Sequence, residues 1–565
     1  MKKNNLPDYD IAIIGGGASG VYTAWRMLTD GLEHSPQLKK WQKARGKLKI
    51  AVFEGGSRIG GRLLSAKSPH LPDIVCEIGG MRYVSSQYYV RSLVENKFNL
   101  PRHPQAVTED NNILYLRGKS MRVKDLSNPK KLPYNLAPDE IAWLNQDVNP
   151  KNTADNFLGY AVMKALPDIT KNLGSGLRAW LNKQKIDGVP LYKHGFWNLV
   201  AKQLSHEAYS IAVTTVGYDC LGFNTNAVDA ICEYFDFTPG VTYNLFNNGF
   251  DSLIWTMQQE FENAGGEVVL GKWLTGFDEA KLPDRSKGVS IQFKGERKPK
   301  TARAIVLAMP KRSLELLEQS GPVMDPQRAP HVRHLMNAVE PIHLYKMFIA
   351  YDKPWWEKEN VTEGRSLTDI PVRQCYYWGV EKKEATATDD KGNALIMAYN
   401  DALSSDFWGG LRRIPLGPGD TQTTASKDNY PRAKSINKAK SNDWDKRLLE
   451  NWKNAHPPKA MVEEMHRQLQ ELHGVSDAPK PIDAAFKDWG DDPFGGAVHF
   501  WNPGYKSTEI MKTIIQPLEG FPCFICGEAY SNNQTWVEGA IQTAELLLRK
   551  FDIPQPKWYK TKWPD

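Results

Sequence analysis

One strand-turn-helix pattern near the start of the chain constrains the fold more than any other feature. The apolar run at 11–14 leads into Gly15, Gly17 and Gly20, and a helical pattern of apolar residues follows. A second apolar run, KLKIAVFE, comes after a polar insertion and ends in Glu54. This order of elements predicts a β-α-β unit, and therefore a parallel, Rossmann-like sheet.

The spacing of these glycines indicates a dinucleotide site. Because the turn lacks large side chains, also at Ala18 and Ser19, the helix N-terminus can approach a pyrophosphate, whose charge the free amides and the helix dipole favour. Glu54, followed by Gly55, would accept hydrogen bonds from the adenosine ribose hydroxyls, and an acid at this place disfavours a 2′-phosphate. The alternative is a structural glycine turn without a ligand.

Composition narrows the class of protein. The 565 residues are 41% apolar and 24% charged, and the net charge of +7 comes from dispersed basic residues. We expect a large globular protein of more than one domain that does not bind nucleic acid. No stretch approaches the roughly 20 apolar residues of a membrane helix, and no apolar run follows the first lysines, so no membrane contact and a cytoplasmic location are expected. The six cysteines have neither disulfide nor metal-ligand spacing, so no metal site is predicted.

Two further pairs of glycines precede arginines. GGSRIGGRLLS contains Arg62, and EIGGMR places Arg82 directly after Gly80 and Met81. An arginine keeps its charge, so in apolar surroundings it needs an anion. For Arg62 the alternative is a solvated side chain in a glycine turn.

These blocks resemble those of the flavin amine oxidase family. GGSRIGGR resembles the R-x-G-G-R signature of the family, GGEVVLGKWLTGF its middle block, and CFICGEAYSNNQTWVEGAIQTA its C-terminal block. The resemblance implies FAD as cofactor. It assigns contacts with FAD to Arg62 at the pyrophosphate, Gly80, Met81 and Arg82 along the flavin ring, Leu274 at the adenine, Gly527 and Glu528 at the ribityl phosphate, Trp536 at the ring and the Ile541 amide at the pyrimidine carbonyl.

Within the family, GGMRYVSSQYYVRSLVENKFNL, YKMFIAYDKPWW and ALIMAYNDALSSDFW are similar to segments of the L-amino acid oxidase branch. The resemblance implies that Arg82 and Tyr399 hold the substrate carboxylate and that the Thr535 carbonyl accepts a hydrogen bond from the amine. Trp536 would wall the substrate side, and Lys346 would hold a water beside the flavin. The alternatives are a surface tyrosine at a strand end for Tyr399 and a lysine that reaches solvent from a strand edge for Lys346.

Two positions refine this assignment. Ala497 stands where monoamine oxidases carry the cysteine that bonds to the flavin, so the resemblance implies non-covalent FAD. Asp401 lies two residues beyond Tyr399, and on a continuous strand both side chains point the same way. An acid in the pocket would favour substrates with a cationic tail. Alternatively, Asp401 caps the following helix, and this is the interpretation that we favour.

The fold implied by the resemblance is an α/β flavin amine oxidase architecture in three parts. They are a Rossmann-like FAD-binding domain (1–70, 241–322 and 505–552), a mixed-sheet substrate-binding domain (71–135 and 323–504) and a helical subdomain (136–235). The polar segment at 415–445 is predicted to be a surface loop.

The activity implied is oxidative deamination of L-amino acids by dioxygen, giving 2-oxo acids, ammonia and hydrogen peroxide. We expect large side chains to be accepted, basic ones among them, and the enzyme to be a homo-oligomer. Two alternatives stay open. An amino acid 2-monooxygenase would decarboxylate the substrate to an amide, and a non-catalytic module would only bind FAD.

Overall fold

The computed structural model describes residues 6–146, 156–219, 223–236, 241–381, 392–412, 430, 443–491 and 494–561. Most of the predicted surface loop at 415–445 lies outside these residues. Two seven-stranded sheets and a helical region make up the architecture. Within the described ranges, no helix combines the length and the apolar character needed to cross a bilayer.

The first sheet forms around the predicted β-α-β unit. Strand Tyr9–Ile14 runs parallel to Ile50–Phe53 on one side and to Lys300–Leu307 on the other, and all six of its residues are buried. A parallel strand that is covered on both faces needs such a continuous apolar run. The other strands of this sheet are Glu267–Val269, Leu274–Lys281, Lys287–Phe293 and Cys523–Ile525.

Helices from both ends of the chain cover the first sheet. Helix Ala18–Thr29 packs against the C-terminal helix Val537–Arg549, and the hydroxyl of Tyr22 donates a 2.6 Å hydrogen bond to Glu545. The polar insertion after the first helix forms two helices, Gly31–His34 and Pro36–Arg45. Helix Ser252–Asn263 packs on the first helix, and helices Lys311–Glu315, Pro330–Met336 and Ser507–Ile514 follow later.

The second sheet is mixed. Its single parallel pairing among the described strands joins Ile113–Leu116 to Arg365–Thr368. The central strands Leu344–Tyr351 and Ala394–Asp401 are buried over their whole length. The remaining strands are Lys119–Arg122, Gln374–Val380 and Asp483–Asp488, and helices Ala402–Gly409, Asp443–Asn454 and Lys459–His473 belong to the same part of the chain.

A helical region lies between the segments of the two sheets. Its α-helices are Pro138–Leu144, Phe157–Ala165, Leu177–Leu181, Phe196–Gln203, His206–Val216 and Ala227–Asp236. They share one apolar core that also includes Leu114 and Leu367 of the second sheet. Smaller sheets pair Tyr83–Val84 and Arg102–Pro104 with Tyr243–Phe246, and Ser65–Lys67 with Val75–Glu77. This is the predicted combination of a Rossmann-like sheet, a mixed sheet and helices, while the exact domain limits stay a prediction.

Candidate active site

A cavity of about 440 Å³ runs from the glycine turn of the first sheet to the second sheet and the helical region. Most of the site residues that were predicted from the sequence line this cavity. They are Gly15, Gly17, Ala18, Ser19, Glu54, Gly55, Arg62, Gly80, Met81, Arg82, Leu274, Lys346, Tyr399, Gly527, Glu528, Thr535 and Trp536. Three nominated residues, Gly20, Asp401 and Ile541, are not part of the lining.

The glycine turn forms one end of the cavity. Gly15 has a φ of 112°, and a Cβ at this position would overlap the carbonyl oxygen of Ala308. A Cβ at Gly20 would overlap the Gly15 carbonyl, so Gly20 serves the packing of helix on turn rather than direct contact. Gly17 is different, because a Cβ added there would have room: its nearest protein atom would be the Cα of Gly61 at 3.9 Å. Gly17 is also the N-cap of the first helix and offers no side-chain cap, so the first amides face the cavity.

Glu54 lies at the same end, just after strand Ile50–Phe53. One of its carboxylate oxygens accepts a 2.7 Å hydrogen bond from the Gly16 amide, and the other accepts one of the same length from Gly56. Two backbone donors therefore fix the carboxylate, while further lone pairs stay available to a ligand.

Arg62 and Glu528 meet on the opposite wall of this end. The Arg62 guanidinium donates to Glu528 and, at 2.8 Å, to the carbonyl of Ala497. Nδ1 of the fully buried His499 lies 2.7 Å from the same Glu528 oxygen. Burial by itself would raise the pKa of Glu528, but His499 and Arg62 outweigh it and hold that pKa at about 2. Glu528 is therefore ionised, and Arg62 keeps donors for a second anion.

The Gly79-Gly80 pair belongs to a segment that crosses the middle of the cavity. The resemblance assigns Gly80 to contact with a flavin. In the structure, a Cβ at Gly79 would overlap the carbonyl of Arg62, so protein backbone already requires the missing side chain there. The Gly80 amide donates to the same carbonyl at 2.9 Å, and the Trp489 indole holds the carbonyl of Ile78 at 3.0 Å.

Arg82 lies at the far end of this segment and is 6% exposed. Its guanidinium donates to Gln105 at 2.9 Å and to the Tyr218 hydroxyl at 3.2 Å, and it lies 4.4 Å from the ring centroid of Tyr243. Burial opposes its charge, but Tyr218, Tyr376 and Tyr243 outweigh burial and raise the pKa of Arg82 above its ordinary value. The arginine is thus a fixed, charged fork whose described hydrogen-bond partners are neutral.

Lys346 comes from the central strand Leu344–Tyr351 and is 2% exposed, so the alternative of a lysine reaching solvent is wrong. Its amine donates to the carbonyl of Glu77 at 3.2 Å and to the carbonyl of Gly79. Burial lowers the pKa of Lys346 to about 7, with a smaller raising effect from Glu77 and a lowering effect from Arg82. When protonated, the amine has a third donor that these two carbonyls do not use.

Tyr399 pairs with Lys346 across the second sheet, with the amine 5.6 Å from its ring centroid. It is 8% exposed and stacks edge-on against Tyr218 at 5.2 Å, so it is not a surface tyrosine.

Asp401 does not reach the cavity. It is 1% exposed and occupies the N-cap position of helix Ala402–Gly409, as the favoured interpretation predicted. The side chain makes no capping hydrogen bond, however; it is the Asp401 carbonyl that accepts one, from the Ser404 hydroxyl at 2.9 Å. The strand turns into the helix at this point, and Asp401 lies outside the residues that line the cavity.

The turn before the C-terminal helix closes the cavity. Thr535 has a φ of 72°, which is rare for a β-branched residue and costs about 1–3 kcal/mol. This turn brings both Thr535 and Trp536 to the lining. The Trp536 indole donates a 3.0 Å hydrogen bond to Glu233 of the helical region, which fixes the ring plane.

Ile541 requires a correction. The sequence placed it in the first turn of the last helix, but that helix begins at Val537, so Ile541 is its fifth residue. Its amide therefore has an intrahelical acceptor, and its side chain is fully buried in the core. Val537 and Ala540 line the cavity instead, and the amide of Val537 belongs to the first helix turn, which has no intrahelical acceptors.

Sequence reasoning missed several residues of the substrate end. They are Tyr218, Glu233, Tyr243 and Arg365 in the lining, together with Gln105 and Tyr376, which lie outside the lining but hydrogen-bond to Arg82 and to Tyr218, respectively. Their segments carry no motif, and only the fold brings them together. One local signal existed for Tyr218, which follows the left-handed C-cap Gly217 of helix His206–Val216.

The glycine-turn end fits FAD on the chemistry of its groups. Uncapped helix amides and Arg62 offer positive charge for a pyrophosphate, and Glu54 offers acceptors for ribose hydroxyls. The open space at Gly17 is the cradle that such a group needs. Leu274 starts a strand whose register is irregular up to Gly276, and it lines the same end.

Comparisons with known proteins agree with this site. The sequence profile of the flavin-containing amine oxidoreductases matches residues 18–411 and 441–546. Aplysianin-A of Aplysia kurodai is 25% identical over 96% of this chain and 90% of its own length, and achacin of Lissachatina fulica is 24% identical over 96% and 93%. An L-amino-acid oxidase of Sistrurus catenatus edwardsii is 21% identical over 71% of this chain and 68% of its own length.

A solved structure of a putrescine oxidase, from a redesign of its cofactor binding, shares the fold. Its TM-score is 0.58 with 14% identity, and the match covers 96% of this chain and 98% of that one. The expected α/β architecture and FAD as cofactor are thereby confirmed. The profile match spans most of the sequence, and the chain belongs to the family of flavin-containing amine oxidoreductases.

Proposed function

We propose that this flavoprotein oxidises L-amino acids with dioxygen and water to 2-oxo acids, ammonia and hydrogen peroxide. The observation that carries the proposal is Arg82, a buried guanidinium that lines the cavity with only neutral hydrogen-bond partners among the described residues. A simple amine has no negative group that could pair with this guanidinium, whereas an α-amino acid has a carboxylate. The similarity to an L-amino-acid oxidase points the same way.

The residues around Arg82 suit this substrate. The guanidinium fork binds a carboxylate in bidentate fashion and fixes its orientation, and such positioning supplies much of the rate of an oriented reaction. We assign the Tyr399 hydroxyl to the same carboxylate and the Thr535 carbonyl to the amine, because both residues line this end. Trp536 adds an indole wall that excludes water. FAD, when bound, accepts the two electrons of the substrate and delivers them to dioxygen.

The proposed reaction needs no side-chain base, and Lys346 is assigned to hold a water molecule. An amino acid that enters with a neutral amine needs no side-chain base, so we assign none. Lys346 has a pKa of about 7 and is therefore partly protonated at neutral pH. We assign its third N–H to a water molecule, because the carbonyls of Glu77 and Gly79 accept the other two.

The cofactor is proposed to be non-covalent. Ala497 borders the cavity beside Arg62 and has no atom that can form a thioether. Acid precipitation should release all of the flavin as FAD, and flavin left in the pellet would contradict this assignment. The homo-oligomeric state, the cytoplasmic location and the acceptance of large side chains stay predictions from the sequence.

The activity is tested by anaerobic mixing of the purified holoenzyme with a panel of L-amino acids, with D-enantiomers as controls. We expect L-amino acids alone to bleach the flavin band. In air, peroxide, ammonia and 2-oxo acid should then form in equal amounts. An amide with carbon dioxide in place of the oxo acid would identify a monooxygenase, and a flavin that no amino acid bleaches would identify a non-catalytic module.

A further inference from the structure

A second arginine, Arg365, lines the same cavity as Arg82. It starts strand Arg365–Thr368, and its guanidinium carbon lies 5.0 Å from the ring centroid of Tyr218 and 6.0 Å from that of Tyr376. The guanidinium carbon of Arg82 lies 5.8 Å from the Tyr376 ring, and Arg82 also donates to the Tyr218 hydroxyl. The two guanidiniums therefore flank one pair of tyrosines, whose hydroxyls hydrogen-bond to each other at 2.8 Å.

Neutral groups surround both arginines. Arg365 donates to the side-chain carbonyl of Gln374 at 2.7 Å, and Arg82 donates to that of Gln105. The buried Nε of Arg365 has no hydrogen-bond partner among the described residues. Burial alone would raise the pKa of Tyr376, but Arg365 and Arg82 outweigh it and lower that pKa, which reports a positive potential between them. Two guanidiniums that form no ion pair with an acid in the described part of the chain call for more negative charge than one carboxylate carries.

The other charged groups near this end have partners of their own. Lys346 donates to two backbone carbonyls, and the Glu233 carboxylate accepts from the Trp536 indole. Glu233 also acts electrostatically on Tyr243, but it forms no ion pair with Arg82 or Arg365 among the described residues. The side of the two tyrosines is left with two positive charges.

We propose that Arg365 receives a second carboxylate, so that the preferred substrates are dicarboxylic L-amino acids. This inference rests on the proposed oxidation of L-amino acids. In this arrangement Arg82 holds the α-carboxylate and Arg365 holds the carboxylate of the side chain. The sequence analysis expected large side chains in general, basic ones among them, and this assignment narrows the preferred substrates to acidic ones.

The test compares substrates of equal shape and different charge. Anaerobic flavin reduction is measured with L-glutamate against L-glutamine, and with L-aspartate against L-asparagine. We expect each acid to reduce the flavin with a specificity constant at least about tenfold above that of its amide, because the amide leaves a guanidinium unpaired. In Arg365→Gln this ratio should fall toward one. The control Arg328→Gln removes an exposed arginine that pairs with Asp278 outside the cavity, and should keep the ratio.

The outcomes separate the two proposals. If neutral L-amino acids bleach the flavin but the acids have no advantage over their amides, both arginines hold one α-carboxylate and the second subsite is refuted. If no L-amino acid bleaches it, the proposed oxidase function itself fails. Should Arg365→Gln not fold, the comparison of acids and amides in the wild-type enzyme still decides.

Discussion

At one end of the cavity, the backbone amides and glycines of one continuous turn form a large part of the binding surface, whereas at the other end side chains from many separate segments converge. The glycine turn at 15–20 and the acid Glu54 belong to one β-α-β unit. Arg82, Tyr218 and Arg365 come instead from a loop, the end of a helical stretch and a strand of the second sheet. The first end should tolerate almost no backbone change, while the second should tolerate substitution and change its selectivity.

The largest effect is expected from the glycine turn, and it tests the first half of this comparison. Gly15→Ala should abolish FAD binding and lower the melting temperature, because the new Cβ overlaps the Ala308 carbonyl and the φ of 112° is unfavourable. Gly17→Ala meets no protein atom closer than 3.9 Å, so the apoprotein should keep its melting temperature while FAD binds at least about tenfold more weakly. Flavin content and thermal melting measure both. Full FAD occupancy in Gly15→Ala would refute the backbone argument.

Arg82→Met should give the next largest effect, now at the side-chain end. FAD should stay bound, while flavin reduction by L-amino acids should lose about 2–4 kcal/mol of transition-state stabilisation, since a buried carboxylate loses its charged partner. Arg82→Lys should not restore the rate, because an ammonium lacks the bidentate fork. Stopped-flow reduction measures this. Normal reduction rates in either variant would mean that another group, such as Arg365, holds the α-carboxylate.

The same contrast explains what the sequence could and could not predict. The glycine turn, Glu54 and the parallel strands could be predicted from the sequence, because their order and spacing along the chain determine how they are arranged in space. Arg365 gave no signal, since its strand is nearly uniformly buried and shows no alternation of polar and apolar residues. Ile541 was misplaced because nothing in VEGAIQTA marks where the helix begins; the start depends on the left-handed Thr535 before it.

Gly79 shows an intermediate case. The sequence shows that a glycine stands here, but the reason for the glycine is a contact with the backbone of Arg62, which is distant in sequence. Local motifs thus predict that a position is special, while the partner that makes it special comes from the fold.

Lys346 provides a pH-dependent test of the side-chain end. Its pKa of about 7 means that the amine gains its proton as pH falls through 7. If this charge favours the reaction of the reduced enzyme with dioxygen, that rate should rise toward acidic pH, and Lys346→Met should slow it by about tenfold and remove the dependence. Lys487→Met, at the paired position of the next strand and outside the cavity lining, is the matched control.

The same lysine makes a prediction about stability. Between its folded pKa of about 7 and the ordinary value of 10.5, the unfolded chain binds a proton that the folded chain lacks. The contribution of Lys346 to the free energy of unfolding therefore rises with pH across this window, and it is least favourable below pH 7. Urea unfolding of Lys346→Met against wild type over this range measures the slope; equal slopes would contradict a lowered pKa.

A smaller effect, on the free energy of unfolding, is expected at Thr535, whose backbone is strained and which lines the cavity. Thr535→Gly should raise the free energy of unfolding by about 1 kcal/mol, because glycine adopts a φ of 72° without strain. Thr535→Ala keeps the strain and should show no such gain. If Thr535→Gly is less stable than Thr535→Ala by urea unfolding, the threonine side chain makes a contact that outweighs the strain.

The smallest effect on selectivity is expected at Asp401, which is two residues after the lining residue Tyr399 but is itself outside the lining. The sequence left two roles for this acid, a partner for cationic substrates and a helix cap. The structure shows the N-cap position without a capping hydrogen bond from the side chain. Asp401→Ala should therefore leave the ratio of specificity constants for L-arginine and L-phenylalanine unchanged.

Any change in this variant should appear in thermal melting, because Asp401 is 1% exposed. Asp401→Asn, which keeps the shape of the side chain without its charge, separates packing from electrostatics. A selective loss of L-arginine turnover in both variants would show that the field of a buried acid reaches the substrate through the strand end. The side-chain end of the cavity would then extend beyond the residues that line it.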